Sequence, residues 1–310
     1  MSAAGESSRV VLAFDVGGTQ LRSALVDTGG VLLARRARRT PVTSAEDLVA
    51  ALIAEAQAHS RDCKQRGDRA PSAVGVAMAG YTDTARGLVH ESPSLGLHRA
   101  EISAPLRAAT GLPVRLVNDV NAAAVAEAAA LGSRDLVALF IGTGVGGGFV
   151  CDGRLLEGHR GMAAEVGHAI WRPDGPPCNA GHAGCFQSFL GGAALAQRAA
   201  DAGLPGETAA LVAAWRAGDP RAAVLMQDAC DALAALCKLL VTLLDPADMV
   251  LSGGVGRSVP EFLAVARAAC DPHPLAPSAA PVTVHTSRLG DDAGLLGAAA
   301  LAQQAGPSVP

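Results

Sequence analysis

The sequence predicts a two-domain α/β protein, and three observations carry this prediction. The chain has 310 residues, which is more than one ordinary domain core accommodates. Half of its residues are apolar but only 3% are aromatic, which indicates a core packed mainly through small side chains. Two strand–glycine turn–strand patterns, one near the N-terminus and one near the middle of the chain, echo each other and indicate an internal duplication.

Charge and composition argue against a nucleic-acid or membrane partner. The formal net charge is −4, and the basic cluster Arg35, Arg36, Arg38 and Arg39 is short enough to be a solvated strand and turn. Few aromatic side chains are available to stack on bases, and no apolar run spans a membrane without glycine or charge. The seven cysteines are mostly scattered, which predicts a reducing, cytoplasmic location. The first nine residues lack a signal core and are expected to be a frayed tail.

The first glycine turn follows a buried-strand pattern at residues 10–16. The turn is Gly17-Gly18-Thr19, and a second strand is predicted from Leu21. Because a strand and not a helix follows the glycines, this is neither a P-loop nor a Rossmann fingerprint. Glycines let an anion approach backbone N–H groups, and Asp15 would face a metal-bound phosphate. An ordinary hairpin turn is the alternative for this motif taken alone.

The next stretch predicts a helix, a strand and a long loop. Ser44 with Asp47 resembles a capping box and opens a helix, followed by a charged loop at residues 61–69. A strand at residues 74–78 ends at Ala79-Gly80. Residues 81–98 show little periodicity and predict a loop with one short strand at residues 87–90, before a helix at residues 102–109.

An Asn-Asp pair lies where a predicted strand gives way to a helix. The strand covers residues 114–117, Asn118 and Asp119 follow it, and an alanine-rich helix covers residues 121–131. Active sites of α/β proteins collect polar groups at such strand ends, and a carboxylate there can act as a general base. The alternative is that one of the pair caps the helix, and both interpretations can hold together.

The second glycine turn covers residues 142–148, between strands predicted at residues 135–141 and 149–151. It repeats the first pattern, with Thr143 at a position comparable to Thr19. Two such hairpins, roughly one for each domain, predict a duplicated architecture that holds one phosphate chain from both sides.

A segment rich in histidine and cysteine follows at residues 165–187. In one interpretation Glu165 and His168 bind a polyhydroxylated substrate, while His168, Cys178 and Cys185, with His182, hold a structural metal. In the other, this is a Gly/Pro-rich surface loop whose cysteines are buried as small hydrophobes.

The last part of the chain predicts helices and one further glycine turn. Helices are expected at residues 186–200, 208–217 and 221–244. A strand at residues 248–252 enters Gly253-Gly254, and a helix at residues 260–270 follows. This strand–glycine–helix corner suits an adenine or ribose close to the backbone. A strand at residues 282–286, a helix at residues 293–304 and a disordered tail from Gly306 complete the prediction.

These motifs together resemble the ROK family, which comprises bacterial sugar kinases and sugar-responsive repressors. The match runs from Arg9 to about Gln304, and its seven motifs are D-V-G-G-T at Asp15, N-D at Asn118, G-T-G-V-G at Gly142, E-V-G-H at Glu165, C-x6-C at Cys178, S-G-G-V at Ser252 and G-L-L-G-A-A-A near the C-terminus. The resemblance implies the actin-like, hexokinase-type ATPase fold (ribonuclease H-like), with two α/β domains around a cleft and a homodimeric assembly. ROK repressors carry an N-terminal helix-turn-helix domain, and the first motif begins too early for one, which favours a kinase.

The resemblance also implies domain limits and residue roles. The small N-terminal domain is expected at residues 1–118, closed by a C-terminal helix at about 293–306, and the large domain at residues 119–292. Asp119 is implied as the general base. The implied sugar ligands are Gly80, Asn118, Asp119, Glu165, His168 and Gln187. The implied ATP ligands are Asp15, Gly17, Gly18, Thr19, Thr143, Gly144, Gly253 and Gly254. A structural Zn²⁺ is expected on His168, Cys178, His182 and Cys185.

The chain departs from the family pattern at three places. The family zinc motif has a cysteine where this chain has Ala180, and His182 is new, so the site is either rebuilt or lost. Gln187 stands where the family usually has a glutamate that accepts sugar hydroxyls. Ser92-Pro93-Ser94-Leu95 replaces the Pro-Asn-Leu of many family kinases. Together these changes suggest a sugar that differs from plain glucose.

We therefore expect an ATP- and Mg²⁺-dependent kinase that phosphorylates a hydroxyl, the 6-OH, of a glucose-like hexose or amino-hexose such as glucose, glucosamine or kanosamine. Two alternatives stay open at this point. One is a non-catalytic, sugar-sensing regulator that retains the kinase fold, against which the retained Asp119 and both phosphate turns argue. The other is a kinase that uses polyphosphate, although no basic run is present to bind it.

Overall fold

The structure is a computed structural model that describes residues 9–41, 44–273 and 276–304. The expectations for the N-terminal tail before Arg9, for the tail from Gly306 and for a last helix reaching residue 306 fall outside the described residues. In the described part of the chain the strands are β1 (Val10–Val16), β2 (Gln20–Asp27), β3 (Leu32–Arg39), β4 (Ala73–Met78), β5 (Tyr81–Asp83), β6 (Leu88–Ser92), β7 (Leu97–Glu101), β8 (Val114–Asn118), β9 (Leu136–Ile141), β10 (Val145–Cys151), β11 (Arg154–Leu155), β12 (Asp248–Ser252) and β13 (Thr283–Thr286).

Ten α-helices are described in the same residues. They are α1 (Ala45–Arg66), α2 (Ser103–Thr110), α3 (Asp119–Leu131), α4 (Phe186–Leu190), α5 (Gly192–Asp201), α6 (Thr208–Arg216), α7 (Pro220–Leu244), α8 (Gly254–Ser258), α9 (Pro260–Cys270) and α10 (Ala293–Gln304). Short 3-10 helices cover Val166–His168 and Gly290–Asp292. Within the described residues no helix is both long enough and apolar enough to cross a membrane.

The chain divides into two compact units. Unit 1 consists of Met1–Ala126, Glu157–Ala163 and Asp291–Pro310, and unit 2 of Glu127–Leu156 and Ala164–Gly290. Both glycine turns that precede a strand therefore fall in different units, the first in unit 1 and the second in unit 2. The domain limits at residues 118/119 and 292/293 stay a prediction.

Unit 1 is built on a five-stranded sheet in the order β3-β2-β1-β4-β8. β1 pairs antiparallel with β2, and β2 with β3, whereas β1, β4 and β8 are parallel. Apolar side chains such as Leu12, Phe14 and Val76 are fully buried beneath α1 and α2. On the sheet α10 approaches β4 so closely that a Cβ on Gly75 would lie 2.1 Å from the carbonyl oxygen of Ala298.

Unit 2 repeats this topology. Its sheet has the order β11-β10-β9-β12-β13, with β9, β10 and β11 antiparallel and β9, β12 and β13 parallel. The long helix α7 is capped by Asp219, whose carboxylate accepts the N–H groups of Arg221 and Ala222, and it buries a continuous apolar face. The two sheets share strand order and strand directions, as the pair of glycine turns indicated.

Four predicted elements were wrong. The second glycine turn is shorter than residues 142–148, because residues 145–148 already pair with β9 as the start of β10. The charged loop at residues 61–69 belongs mostly to α1, which ends where Gly67 adopts a left-handed φ of 71°. Residues 81–98 do not form a loop with one short strand, because β5, β6 and β7 make a three-stranded antiparallel sheet that reaches residue 101. The helix at residues 186–200 is two helices, broken at the extended Gly191. Charged or mixed segments carry weak periodicity, so packing decided these cases.

Candidate active site

The first glycine turn is a tight hairpin between β1 and β2. The Gly17 N–H donates to the carbonyl oxygen of Gln20 at 3.0 Å, and Thr40 donates its hydroxyl to the carbonyl of Gly17 at 2.6 Å. Gly18 has no room for a side chain, since a Cβ there would lie 2.8 Å from the carbonyl oxygen of Ser94. Thr19 is exposed at the tip. The turn therefore presents backbone and a hydroxyl while resting on the loop that carries Ser94.

Asp15 is the charged centre of this turn. It lies opposite Arg22 in the β1–β2 pair, and the Arg22 guanidinium donates to the Asp15 carboxylate at 3.2 Å. Burial, reinforced by the negative charge of Asp119, raises the pKa of Asp15 to about 6 despite the opposing effect of Arg22. A Cβ on Gly294, at the start of α10, would lie 2.9 Å from the carboxyl carbon of Asp15. Asp15 is thus an enclosed carboxyl that a cation would stabilise in its ionised form.

Asn118 caps helix α3, which leaves Asp119 for the proposed part of a general base. Asn118 caps α3, because its side-chain oxygen accepts the N–H groups of Val120 at 2.9 Å and Asn121 at 3.1 Å. Its amide nitrogen donates to the carbonyl of Gly80 at 3.0 Å. Asp119 accepts the Val120 N–H at 3.0 Å, and burial raises the pKa of its carboxyl. A partly buried carboxyl with a raised pKa is a better proton acceptor than a fully solvated one, which suits Asp119 to the part of a general base.

Gly80 lies between β6 and the end of β8, where Asn118 is found. Its φ is +117°, and a Cβ there would lie 2.4 Å from the carbonyl oxygen of Glu91 and 2.8 Å from the Cβ of Ser92. Gly80, Asn118 and Ser92 are therefore neighbours in unit 1. Ser92, whose hydroxyl is buried, was noted only as a departure from the family loop.

The second glycine turn is held almost entirely by backbone groups. Gly142 donates its N–H to the carbonyl of Gly144 at 2.9 Å. The N-terminus of α5 closes over the turn, since Gly192 and Ala193 donate to the carbonyls of Gly142 and Thr143 at 2.8 and 3.0 Å. Thr143 is exposed at the tip, as Thr19 is in the first turn.

A pocket of about 740 Å³ opens beside this turn in unit 2. It is lined by Gly142, Thr143, Gly192, Ala193, Thr208, Ala209, Val212, Arg216, Gly254, Val255 and Ser258. Of the residues predicted to bind the nucleotide in this unit, Thr143 and Gly254 line the pocket. Gly144 and Gly253 do not. Gly253 lies behind it, where a Cβ would meet the carbonyl oxygen of Ile141 at 2.4 Å.

Sequence reasoning missed the side of this pocket formed by α6. Arg216 there makes two hydrogen bonds with the Glu261 carboxylate, at 3.0 and 2.9 Å. A surface arginine in an amphipathic helix carries no local signal of a pocket. Only the packing of α6 beside the glycine turns reveals it.

His168, Cys178 and His182 form a compact cluster in unit 2. The Nδ1 of His168 is 3.3 Å from the Nδ1 of His182 and 3.9 Å from the Sγ of Cys178. One nitrogen or sulfur atom of each residue lies within 4.8 Å of the others. Burial, with the charge of His182, lowers the pKa of His168, which favours the neutral imidazole that binds metals. Two imidazoles and a thiol form a donor set that fits Zn²⁺.

Cys185 stands apart from this cluster. Its thiol is fully buried, and burial raises its pKa, with a further contribution from the neighbouring Cys178. Cys185 is therefore next to one member of the cluster without sharing its compact arrangement. Its role as the fourth ligand stays a prediction.

The histidine- and cysteine-rich segment at residues 165–187, here called the Cys/His loop, is held by aromatic and ionic contacts that the sequence did not reveal. Trp171 packs edge-on against Phe189, with ring centroids 4.8 Å apart. The guanidinium of Arg172 covers the Trp171 ring at 3.9 Å and donates to Asp228 of α7 at 2.8 Å. Asp228 also accepts from Arg198 at 2.6 Å. These contacts fix the beginning of the loop, at Trp171 and Arg172, to α4 and α7 of unit 2.

Glu165 and His168 lie at the two ends of a 3-10 turn on β10. The His168 N–H donates to the carbonyl of Glu165 at 3.1 Å. The turn packs directly on the strand, because a Cβ on Gly167 would lie 2.2 Å from the carbonyl oxygen of Val145. Glu165 and His168, two of the predicted sugar ligands, are thus joined by a backbone hydrogen bond within one short turn. His168 also belongs to the histidine–cysteine cluster.

Gln187 is buried at the start of α4 with both ends of its amide bonded to protein. Its oxygen accepts the Val145 N–H at 3.1 Å, and its nitrogen donates to the side-chain oxygen of Asn179 at 2.6 Å. Its role as a sugar ligand stays a prediction.

The chain is similar to known sugar kinases along almost its whole length. A family model described as ROK family matches residues 11–305. An N-acetylmannosamine kinase of Citrobacter koseri is 36% identical over 298 residues, which cover 94% of this chain and 98% of that protein.

Solved structures agree in fold. The crystal structure of a ROK hexokinase from Thermus thermophilus has a TM-score of 0.84 and 35% identity, covering 95% of this chain and 98% of the other. A ROK family glucokinase from Streptomyces griseus, solved in complex with glucose and AMPPNP, has a TM-score of 0.75 and 31% identity, covering 95% and 99% of the two chains. The fold is therefore that of the two-domain sugar kinases.

Proposed function

The chain belongs to the ROK family, and we propose that it is an ATP-dependent kinase acting on a hexose or an amino-hexose. The observation that carries this proposal is the partly buried Asp119 at the start of α3, beside Asn118, with a pKa that burial raises. A carboxylate held there by a backbone N–H can take the proton of a sugar hydroxyl as that oxygen attacks phosphorus.

The transfer step needs one base and stabilised phosphate charge. The attacking hydroxyl, proposed as the 6-OH, forms a new O–P bond to the γ-phosphorus, the bond to the β-phosphate oxygen breaks, and ADP leaves. The hydroxyl proton goes to Asp119. Positioning and electrostatics supply most of the rate enhancement in such transfers.

The phosphate ligands proposed from the resemblance are the two glycine turns. Gly18 and Thr19 in unit 1, and Thr143 and Gly144 in unit 2, are proposed to offer backbone N–H groups and hydroxyls to the oxyanions, and Gly17, whose N–H closes the first turn, lets a phosphate approach closely. The 740 Å³ pocket lined by Thr143 and Gly254 is large enough for a nucleoside. The enclosed carboxyl of Asp15 fits a Mg²⁺-bound phosphate, and Mg²⁺, when bound, neutralises charge on the transferring phosphoryl group.

The proposed sugar ligands are Gly80, Asn118 and Asp119 in unit 1 and Glu165 and His168 in unit 2. The similarity to an N-acetylmannosamine kinase and to a glucokinase solved with glucose supports N-acetylmannosamine and glucose as candidate substrates. The departures of this chain from the family pattern, above all Ser94 where many family kinases have asparagine, support glucosamine and kanosamine as further candidate substrates.

A structural Zn²⁺ is proposed on His168, Cys178 and His182, with Cys185 as the fourth ligand. The converging donors of the cluster support three of these ligands. Zinc bound there would hold the Cys/His loop closed and leave no open position for substrate.

A homodimer in the cytoplasm completes the proposal. Leu239 and Leu243 lie one turn apart on α7 and are exposed, which supplies an apolar face for a second copy. All seven cysteines are free, which suits a reducing compartment. Sedimentation of the purified protein tests the dimer, and a monomer at micromolar concentration contradicts it.

A coupled assay of ADP release with ATP as the donor tests the proposed function, and a direct assay of the sugar phosphate tests polyphosphate as the donor. The acceptors are glucose, mannose, N-acetylmannosamine, glucosamine, N-acetylglucosamine, kanosamine, fructose and allose. We expect ATP-dependent turnover with one acceptor well above the rest. Binding of a sugar, without ADP release in the presence of any acceptor, would favour the non-catalytic regulator.

A further inference from the structure

We propose that Gln187 is a positioning residue for the second glycine turn, linking it to the Cys/His loop, and does not bind the sugar. The link runs from Asn179, through the Gln187 amide, to the Val145 N–H at the start of β10. The inference rests on the proposed function in one respect, namely that this turn binds the phosphates of ATP. It changes the role that the family pattern suggests for residue 187.

The hydrogen bonds leave one orientation for the Gln187 amide. A backbone N–H can only donate, so the amide oxygen must face Val145. The amide nitrogen then faces Asn179, whose side-chain oxygen accepts at 2.6 Å. Gln187 is only 8% exposed, so loss of either partner would leave a polar atom buried and unsatisfied. The side chain therefore has a strong reason to stay with these two partners rather than turn to a ligand.

Two glycines enclose the same side chain. A Cβ on Gly144 would lie 2.6 Å from the Gln187 amide oxygen, and a Cβ on Gly191 would lie 3.2 Å from its Cγ and 3.1 Å from the Thr143 carbonyl oxygen. The turn and the α4–α5 junction thus close around Gln187 with little free space. A movement of Gln187 would displace the backbone next to Thr143.

The link also forms part of a cavity beside Thr143. This cavity of about 300 Å³ is lined by Thr143, Pro177, Cys178, Asn179, Gln187, Ala193, Ala194 and Gln197. Thr143 and Ala193 line both this cavity and the 740 Å³ pocket. Gln187 and Asn179 therefore contact a cavity adjacent to the one proposed for the nucleoside, and they are absent from the lining of the latter.

The amide chemistry of the link makes it testable by exchange of donors and acceptors. In Asn179→Asp the new carboxylate still accepts from Gln187. In Gln187→Glu the carboxylate still accepts from Val145, and Asn179 can rotate its amide to donate. The double variant places two carboxyl groups 2.6 Å apart at positions 179 and 187, where neither can donate while both are ionised. The double variant alone therefore breaks the link at high pH, and a shared proton at low pH would restore it.

The experiment is a double-mutant cycle read by nucleotide affinity. ADP dissociation constants are measured calorimetrically without sugar at pH 8, alongside the KM values for ATP and for the accepted sugar. We expect each single variant to change ADP affinity and ATP KM by less than about 1.5-fold, and the double variant to lose about tenfold, well beyond the roughly twofold product of the two single effects. The sugar KM should change less than about twofold.

Gln197→Ala is the matched control, since this amide lines the same cavity but pairs with Asp201 of its own helix at 2.9 Å. It should leave ADP affinity unchanged. Asn179→Ala, at an exposed position, provides a second variant if the double variant does not fold, and should weaken ADP about threefold.

Each result has a distinct meaning. Additive effects in the cycle, or a sugar KM that responds to Gln187→Glu more than ADP affinity does, would overturn the proposal and restore Gln187 as a sugar ligand. Failure of the parent protein to bind ADP at all would instead count against the proposed kinase function.

Discussion

The two glycine turns occupy equivalent places in two sheets of the same topology, yet different forces hold them. The first turn is surrounded by charge, because Arg22, Asp119 and Asp291 all act on Asp15, and Arg22 also donates to Asp291. The second is held by backbone N–H groups from the start of α5 and by the uncharged amide of Gln187.

This difference separates two tasks that the duplicated topology alone would leave identical. Charged groups that raise the pKa of Asp15 and lie near Asp119 suit the reacting phosphoryl group and its metal. A turn fixed by neutral hydrogen bonds suits the positioning of a bound nucleotide. Under the proposed function, the duplicated turn has one shape in both units, and the different side chains around it would give the first turn a chemical role and the second a positioning role.

The largest expected effect lies in the charged half. Asp119→Asn should lower kcat about 10²- to 10⁴-fold, because the amide cannot accept the hydroxyl proton. The variant should fold, since Asn can accept the Val120 N–H in the same way. Turnover numbers with saturating ATP and sugar, together with thermal unfolding, provide the measurement. A variant that keeps most of its kcat on the best sugar would remove Asp119 from the mechanism.

Asp15→Asn should stabilise the fold at the expense of activity. The pKa of Asp15 is about 6 in the fold against a reference value of 3.8, so the folded state holds more protons between these values. Stability therefore falls as pH rises from about 4 to about 6, and above pH 6 the ionised form costs about 1–3 kcal/mol.

Removing the charge should recover that amount at pH 8 and nothing at pH 4. Urea unfolding of metal-free protein at both pH values measures it. Asp291→Asn, whose carboxylate is 68% exposed, is the control and should change stability little. An equal effect of Asp15→Asn at both pH values would contradict the assigned cause.

Gly18→Ala and Gly144→Ala compare the two turns directly. At Gly18 the new methyl group would meet a backbone carbonyl of Ser94 at 2.8 Å, whereas at Gly144 it would meet the end of the Gln187 side chain at 2.6 Å. Backbone cannot move aside as a side chain can, so Gly18→Ala should raise the KM for ATP about tenfold and Gly144→Ala about threefold.

Combining Gly144→Ala with Gln187→Ala tests the cause of the smaller effect. Removal of the Gln187 amide takes away the clash, so the second substitution should add less than it does alone. Strictly multiplicative effects would show that the two positions do not touch.

The smallest effect on catalysis is expected at the histidine–cysteine cluster. Protein purified without added metal or chelator should contain about one equivalent of zinc by elemental analysis. Cys178→Ser should lose it, and Cys185→Ser should keep it with lower affinity. Cys63→Ser, a buried thiol in unit 1, should retain zinc fully. Because protein contacts hold the base of the loop, kcat should fall less than tenfold without metal. Less than about a tenth of an equivalent in the parent protein, with full activity, would reject the zinc proposal.

Much of the fold could be predicted from local sequence, because the interactions that form these elements act between residues a few positions apart. The strand at Val10–Val16, the cap of α1 at Ser44 and the turn at Gly17 each depend on residues within a few positions of one another. Asn118 as a cap of α3 was one of two local alternatives, and the structure bears it out.

The predicted loop at residues 81–98 failed for the complementary reason. Its short strands are mixed in polarity, and the sheet β5-β6-β7 forms because the strands pair with one another. No single segment of the three carries enough periodicity to reveal a strand on its own.

Sequence by itself determined which chemical groups this protein has and the order in which it presents them: two glycine turns, an Asn-Asp pair at a strand end and a histidine–cysteine segment. Tertiary structure alone decided what each group touches. Asp228 joins Arg172 from 56 positions away, Gln187 reaches Val145 from 42 positions away, and Arg22 meets Asp291 from 269 positions away. A hydrogen bond acts over about 3 Å, so only the folded backbone, which brings distant positions that close, can choose the partner.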